Sequence, residues 1–202
     1  MVGYAAMDAV AVLDDPRDAA VALDPVRSRV LGVLSENAAS AAGVAERLGL
    51  PRQRVGYHLR ALEERGLVVE VSRRKHGGLT ERLFSSSAAS YVVSPAAFGG
   101  VGASPERVAD RLSAAYAVAV AARVVDEVGR LVRAASKAGR RLPTMSVTAD
   151  VRFRSAADRA AFADELGAAV RDLGRKYHDE SAPAGRWCRV TAIVHPRPPK
   201  ES

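Results

Sequence analysis

Between residues 51 and 85, eight cationic side chains (Arg52, Arg54, Arg60, Arg65, Arg73, Arg74, Lys75, Arg82) face four acids (Glu63, Glu64, Glu70, Glu81), a net of +4. Residues 1–50 carry four Arg against seven Asp/Glu, a net of −3. Such a local surplus of guanidinium and ammonium groups suits phosphate oxygens. Gln53 and Tyr57 add an amide and a flat ring, groups that address base edges. Val55, Leu59 and Leu62 recur at helical spacing, so they mark the buried side of a helix whose outer face carries Gln53, Tyr57 and Arg60. The chemistry is recognition of a nucleic-acid duplex. Its candidate residues are Arg52, Gln53, Arg54, Tyr57, Arg60, Arg73, Arg74, Lys75 and Arg82.

Other chemistries have less to build on. With four His and one Cys, the chain forms no local catalytic arrangement. It shows no nucleophile-elbow, Walker or dinucleotide-binding pattern, and Gly77-Gly78 is too short for a phosphate loop. No catalytic residue and no cofactor are therefore expected. A metal site from His178, Asp179, Glu180 and His195 is conceivable, but a solvated helix terminus is the favoured reading, so no metal is expected. Cys188 lies in phase with Val190 and Val194 and is expected in a core. His58, beside the Val55–Leu59 stripe, is expected to be packed and hydrogen-bonded. Arg130, Arg133, Lys137, Arg140 and Arg141 read as a solvated helix end.

The elements that must position the basic face come from residues 40–85. Ser40 caps a first helix with Val44, Ala45 and Leu48 on its apolar side, and Gly49 permits a sharp reversal. Pro51 suits the first position of the second helix. Leu67–Arg74 and Leu79–Ser85 then read as a β-hairpin around the turn signal Lys75-His76-Gly77-Gly78.

The run DPVRSRVLGVLSENAASAAGVAERLGLPRQRVGYHLRALEERGLV resembles the winged helix-turn-helix of ArsR-type bacterial transcriptional regulators. The matching pieces are Asp24-Pro25 opening a helix, VAERLGL, and VGYHLRALEERGLV leading into a strand. The resemblance covers roughly residues 16–90. It implies a cytoplasmic homodimer on an inverted-repeat DNA operator, a repressor that leaves when an effector binds. Many members sense metals through a cysteine pair near the first helix of the motif, or His/Asp ligands on the last dimer helix. Residues 40–48 and 104–137 hold no Cys or His, so a small non-metal, organic effector is expected instead.

The expected fold is α+β. It comprises a winged helix-turn-helix domain (1–93), a Gly/Pro/Ser-rich linker (94–104), and a long helix with a small β-α-β unit (105–195) for dimerisation and effector binding. A polar, disordered tail follows (196–202). The helix, 105–138, carries a broad stripe from Val108 to Ala135. Its expected partner is a second copy of itself; the alternative is packing against the N-terminal helices of its own chain. Met145–Phe153 and Cys188–Val194 alternate as strands, and Ser155 with Asp158 opens a helix whose buried stripe runs from Phe162 to Tyr177. The strand face with Asp150, Arg152, Trp187, Arg189 and Thr191 is the candidate effector surface.

At 202 residues, net charge +7 and pI near 10.1, the chain can bury a core and favours a polyanionic partner. No apolar run reaches membrane-spanning length, and the acidic start lacks a secretory n-region, so no membrane partner and a cytoplasmic location are expected. Three function classes follow: an effector-responsive DNA-binding regulator, an architectural nucleoid-type DNA-binding protein, and an enzyme working through its C-terminal unit. The first fits best.

Overall fold

The computed structural model describes residues 7–76 and 79–199. The Gly77-Gly78 turn lies outside them. The chain divides into two compact units, Met1–Pro143 and Thr144–Ser202, so the boundary falls at 143/144 rather than in the expected 94–104 linker. Residues 95–107 are not a loose tether because they are packed: two 3₁₀ turns, Pro95–Val101 and Pro105–Arg107, lie against the helix that follows.

In the first unit β1 (Ala11–Leu13) leads into α1 (Pro16–Ala22) and α2 (Pro25–Glu36). Asp24 caps α2, its carboxylate accepting from the backbone N–H of Val26 at 2.9 Å and of Arg27 at 3.0 Å, with Pro25 at the first helical position. β2 (Ala39–Ser40) precedes α3 (Ala41–Leu48), where Ser40 Oγ accepts from the Gly43 N–H at 3.3 Å. Gly49, at φ 64°, makes the left-handed turn out of α3 that a side chain would oppose. α4 (Arg52–Glu64) follows, with Pro51 as its N-cap rather than its first residue.

The wing is the antiparallel pair β3 (Val68–His76) and β4 (Leu79–Ser86), with β2 on the far side of β4. The core gathers Val30 and Leu34 of α2, Val44 of α3, Val55, Leu59 and Leu62 of α4, and Val68 and Phe84 of the wing. Burying aliphatic side chains from every element at once makes the helix-turn-helix and its wing one cooperative body.

A feature with no sequence signal closes this body. β5 (Tyr91–Val93) pairs in parallel with β1, Ala11 opposite Tyr91 and Leu13 opposite Val93. The Tyr91 hydroxyl donates to the Leu67 carbonyl at 2.9 Å and sits within 2.8 Å of Ser86 Oγ, joining this clasp to the base of the wing.

α5 is Ala114–Lys137, capped by Ser113, so the expected helix starts nine residues late. Pro105 opens its own short turn instead, and Asp110 accepts from the Leu112 N–H ahead of the Ser113 cap. One face of α5 rests on β1: Gly129 meets Val12, and Arg133 donates to the Val12 carbonyl at 2.8 Å and pairs with Asp14. Ala119 and Gly129 are the buried residues of α5, whereas Leu112 of the expected stripe is fully open. The alternative seat, on the N-terminal part of its own chain, is thus occupied, though by a strand rather than by helices.

In the second unit α6 (Ala156–Tyr177) starts where expected, Ser155 Oγ accepting from the Asp158 N–H at 3.0 Å. The two flanking strands do not form: residues 144–153 and 186–195 make no ladder, and α6 buries no residue. Alternation marks a face to be covered, but a strand exists only through pairing, and here Met145, Val147 and Val190 stay exposed. Cys188 is likewise exposed rather than in a core, because the strand that would bury it is unpaired. Phe153 and Phe162 retain a ring contact at 5.2 Å.

Candidate nucleic-acid interface

α4 separates two chemistries around its circumference. Val55, Leu59 and Leu62 are 0–2% exposed, and their side chains fix the rotation of the helix against α2 and α3. That rotation turns Arg52, Gln53, Arg54, Tyr57 and Arg60 outward, all five exposed. Tyr57, 59% exposed, holds its ring edge-on to the His58 imidazole at 5.4 Å and 74°. Arg60 Nε donates back to the Gly56 carbonyl at 3.3 Å, directing its guanidinium along the helix. Arg52 and Arg54 have no ion-pair partner among the described residues. Pro51 offers no side-chain cap, so the first N–H groups of α4 remain open beside these two guanidinium groups. A helix terminus so arranged attracts a phosphate.

His58 is packed as expected, 7% exposed, but its Nδ1 has no hydrogen-bond partner among the described residues. Burial lowers its pKa below the usual imidazole range; Asp24 opposes the shift, while Arg27 and Arg54 add to it. A neutral imidazole is therefore the form that fits the core beneath Tyr57.

The wing sorts its four cations into two kinds. Arg82 is bound to Glu70 and to Glu63 of α4 and stacks over the Phe84 ring at 4.7 Å. Arg73 donates to the other Glu70 oxygen at 2.6 Å. The Arg73 and then the Arg82 hydrogen bonds hold the Glu70 carboxyl below the usual carboxylate range. Arg82 thus ties the wing to the outer helix, a task that charge counting did not separate from phosphate binding. Arg74 and Lys75 lie nearer the hairpin tip, exposed and without an ion pair among the described residues.

The candidate effector residues lie on exposed parts of the second unit. Asp150 pairs with Arg197 at 2.9 Å, Trp187 is 83% exposed with its ring 5.4 Å from His178, and Arg152, Arg189 and Thr191 are exposed. His178 contacts Glu180 at 3.3 Å, while His195 engages the Pro196 carbonyl. No group of three or more His, Cys, Asp or Glu among the described residues is placed to hold a metal ion. Of the cations read as a solvated helix end, Arg130 stays exposed while pairing with Asp126 one turn back, and Arg133 pairs with Asp14. No described helix is long and apolar enough to cross a membrane.

Residues 22–71 match the family model of a helix-turn-helix domain, spanning α2, α3, α4 and the start of β3. This agrees with the resemblance to ArsR-type regulators drawn from the sequence. No curated protein matches the chain. Among solved structures, one described as a possible transcriptional regulator for arsenical resistance is 23% identical, with a TM-score of 0.30. It covers 58% of this chain and 95% of its own. A double mutant of Lactococcus lactis ZitR is 14% identical with a TM-score of 0.27, covering 75% of each chain. Both scores are too low for the overall structures to be equated.

Proposed function

We propose that this chain is a sequence-specific, DNA-binding transcriptional regulator of ArsR type, a cytoplasmic homodimeric repressor without enzymatic activity, released from an inverted-repeat operator by a small non-metal effector. The observation that carries the reading is the outer face of α4. Gln53 and Tyr57 lie one turn apart and Arg60 one turn further on, flanked by Arg52 and Arg54 and by the exposed Arg74 and Lys75 of the wing. An amide, a flat ring and guanidinium groups on one short helix are the groups that read a major groove, and the wing cations grip phosphates beside it.

Support for the homodimer comes from the second face of α5. Val118, Val128, Leu131 and Val132 are exposed there, with Leu131 at 52%. An apolar helical stripe of this extent is covered most economically by its own copy, which also sets two recognition helices against two half-sites.

Recovery of bound genomic fragments tests the reading directly. A shared inverted repeat is expected. Tyr57→Ala should weaken binding to it by about 1–3 kcal/mol while leaving random-sequence binding nearly unchanged. An Arg74→Ala, Lys75→Ala pair should weaken both and flatten the salt dependence. Fragments without a common sequence, bound equally by wild type and Tyr57→Ala, refute specific readout.

A further inference from the structure

A cleft of about 390 Å³ opens between the 95–107 segment and α5, wholly inside the first unit. Its floor is a loop whose shape glycine sets. Gly99 sits at φ 58° and ψ −135°, and a Cβ on Gly102 would lie 2.4 Å from the Pro95 carbonyl oxygen. The opposite wall is α5, with Ala122 and Asp126.

The charges around this cleft are matched with one exception. Asp126 pairs with Arg130 at 2.7 Å and accepts from Ser94 Oγ; Arg123 is held by Glu106; Glu127 is engaged as well. Arg107, an exposed residue, lines the cleft too, and its guanidinium has no hydrogen-bond or ion-pair partner among the described residues. An exposed, unmatched guanidinium on the lining of a cleft of this size, beside proline and alanine walls, suits an anionic group carried on a small apolar body.

We propose that this cleft binds a small organic anion, a carboxylate or phosphate on an apolar body, and that it is the effector site. The proposal rests on the reading of the chain as an effector-responsive regulator. Its route to DNA is short. The buried Ser94 spans the two sides: its hydroxyl donates to Asp126 of α5 at 3.3 Å, and its backbone N–H donates to the Leu13 carbonyl of β1 at 2.8 Å. A molecule held between the loop and α5 binds one seating of the helix on the clasp better than another. That difference in affinity is what shifts a dimer between two half-site spacings.

The test uses the full chain with benzoate and phenyl phosphate as probes, inorganic phosphate as the head group alone, and titrations by calorimetry and amide NMR. Saturable binding of benzoate or phenyl phosphate is expected, with shifts centred on Gly100, Gly102 and Ala122, and weaker binding of inorganic phosphate. Which of the two probes binds assigns the head group. Arg107→Ala should weaken binding by at least about tenfold, the loss of one charge-assisted contact. Arg111→Ala, an equal loss of charge outside the cleft, should leave it unchanged. The bound probe should lower operator affinity of wild type and not of Arg107→Ala. Neither probe binding, equal binding by Arg107→Ala, or binding without effect on operator affinity overturns the proposal. Since the titrations need no DNA, a chain that recognises no operator refutes the regulator reading while the cleft is still judged on its own.

Discussion

The seat of α5 on β1 can be tested with one methyl group. At Gly129 an added Cβ would lie 2.7, 2.9 and 3.0 Å from Cγ1, Cβ and Cγ2 of Val12. All three contacts fall at or below the closest approach that carbon atoms tolerate. Val12 is β-branched, stiff at χ1, and fixed on a paired strand, so it has little room to yield. Helix propensity pulls the other way, favouring Ala over Gly by about 0.8–1.0 kcal/mol. Overpacking of a filled contact costs about 1–3 kcal/mol, so Gly129→Ala should be destabilising by up to ~2 kcal/mol. Gly32 in α2 supplies the control, because a Cβ there meets nothing within 4 Å. Gly32→Ala should therefore gain roughly 0.5–1 kcal/mol. Urea denaturation of both variants measures the contrast, and Val12→Ala in the Gly129→Ala background should recover part of the loss through coupling between the two sites. If Gly129→Ala proves as stabilising as Gly32→Ala, α5 does not sit on β1 as described.

Three further expectations follow from the first unit. The His58 pKa is lower folded than unfolded, so the unfolded chain takes up the proton first; stability should be full above about pH 6.5 and fall below it. His58→Leu should flatten that fall, and an unchanged profile by thermal melts at several pH values would contradict the buried neutral imidazole. Arg82→Ala should loosen the wing from α4, seen as faster amide exchange across Val69–Phe84, whereas Arg74→Ala should leave exchange there unaltered. Leu131→Glu with Val128→Glu should yield a folded monomer in sedimentation experiments, because charges on the open face of α5 oppose self-association without touching the β1 contact. A dimer that persists in that variant moves the seam elsewhere.

The helix-turn-helix was legible because its signals are local. Asp24-Pro25, Ser40 and Gly49 act within one turn of their own positions, and Val55, Leu59 and Leu62 announce a period that packing then obeys. The outer face of α4 followed as the complement of that stripe. What stayed hidden depends on partners remote in sequence. Nothing in AVL at 11–13 or YVV at 91–93 signals that the two will pair, and Arg82 reads like any other wing cation until Glu63 and Glu70 are placed beside it. The cleft beside α5 carries no sequence signal for the same reason: residues that resemble a linker acquire concavity only against α5. In 143–195 the error ran the other way. Alternation at Met145–Phe153 and Cys188–Val194 is real, but periodicity records which side chains seek cover and not whether a neighbouring strand supplies it.

The parallel pairing of β1 with β5 also imposes an order on synthesis. β1 leaves the ribosome early and has no partner until Tyr91–Val93 emerge, after all of the helix-turn-helix and wing. Helices and hairpin, built from near neighbours, close first; the clasp, with its long intervening loop, closes later. α5 is made after both, and its seat, Val12 with Asp14 and Ser94, is drawn from both strands' ends, so it is complete once the clasp has closed. The helix proposed to join two copies is therefore oriented by the completed module. If two copies join through α5 as proposed, a nascent or damaged chain whose winged domain has not closed would offer a second copy no aligned helix, and assembly itself would become a check on whether the DNA-reading half is folded.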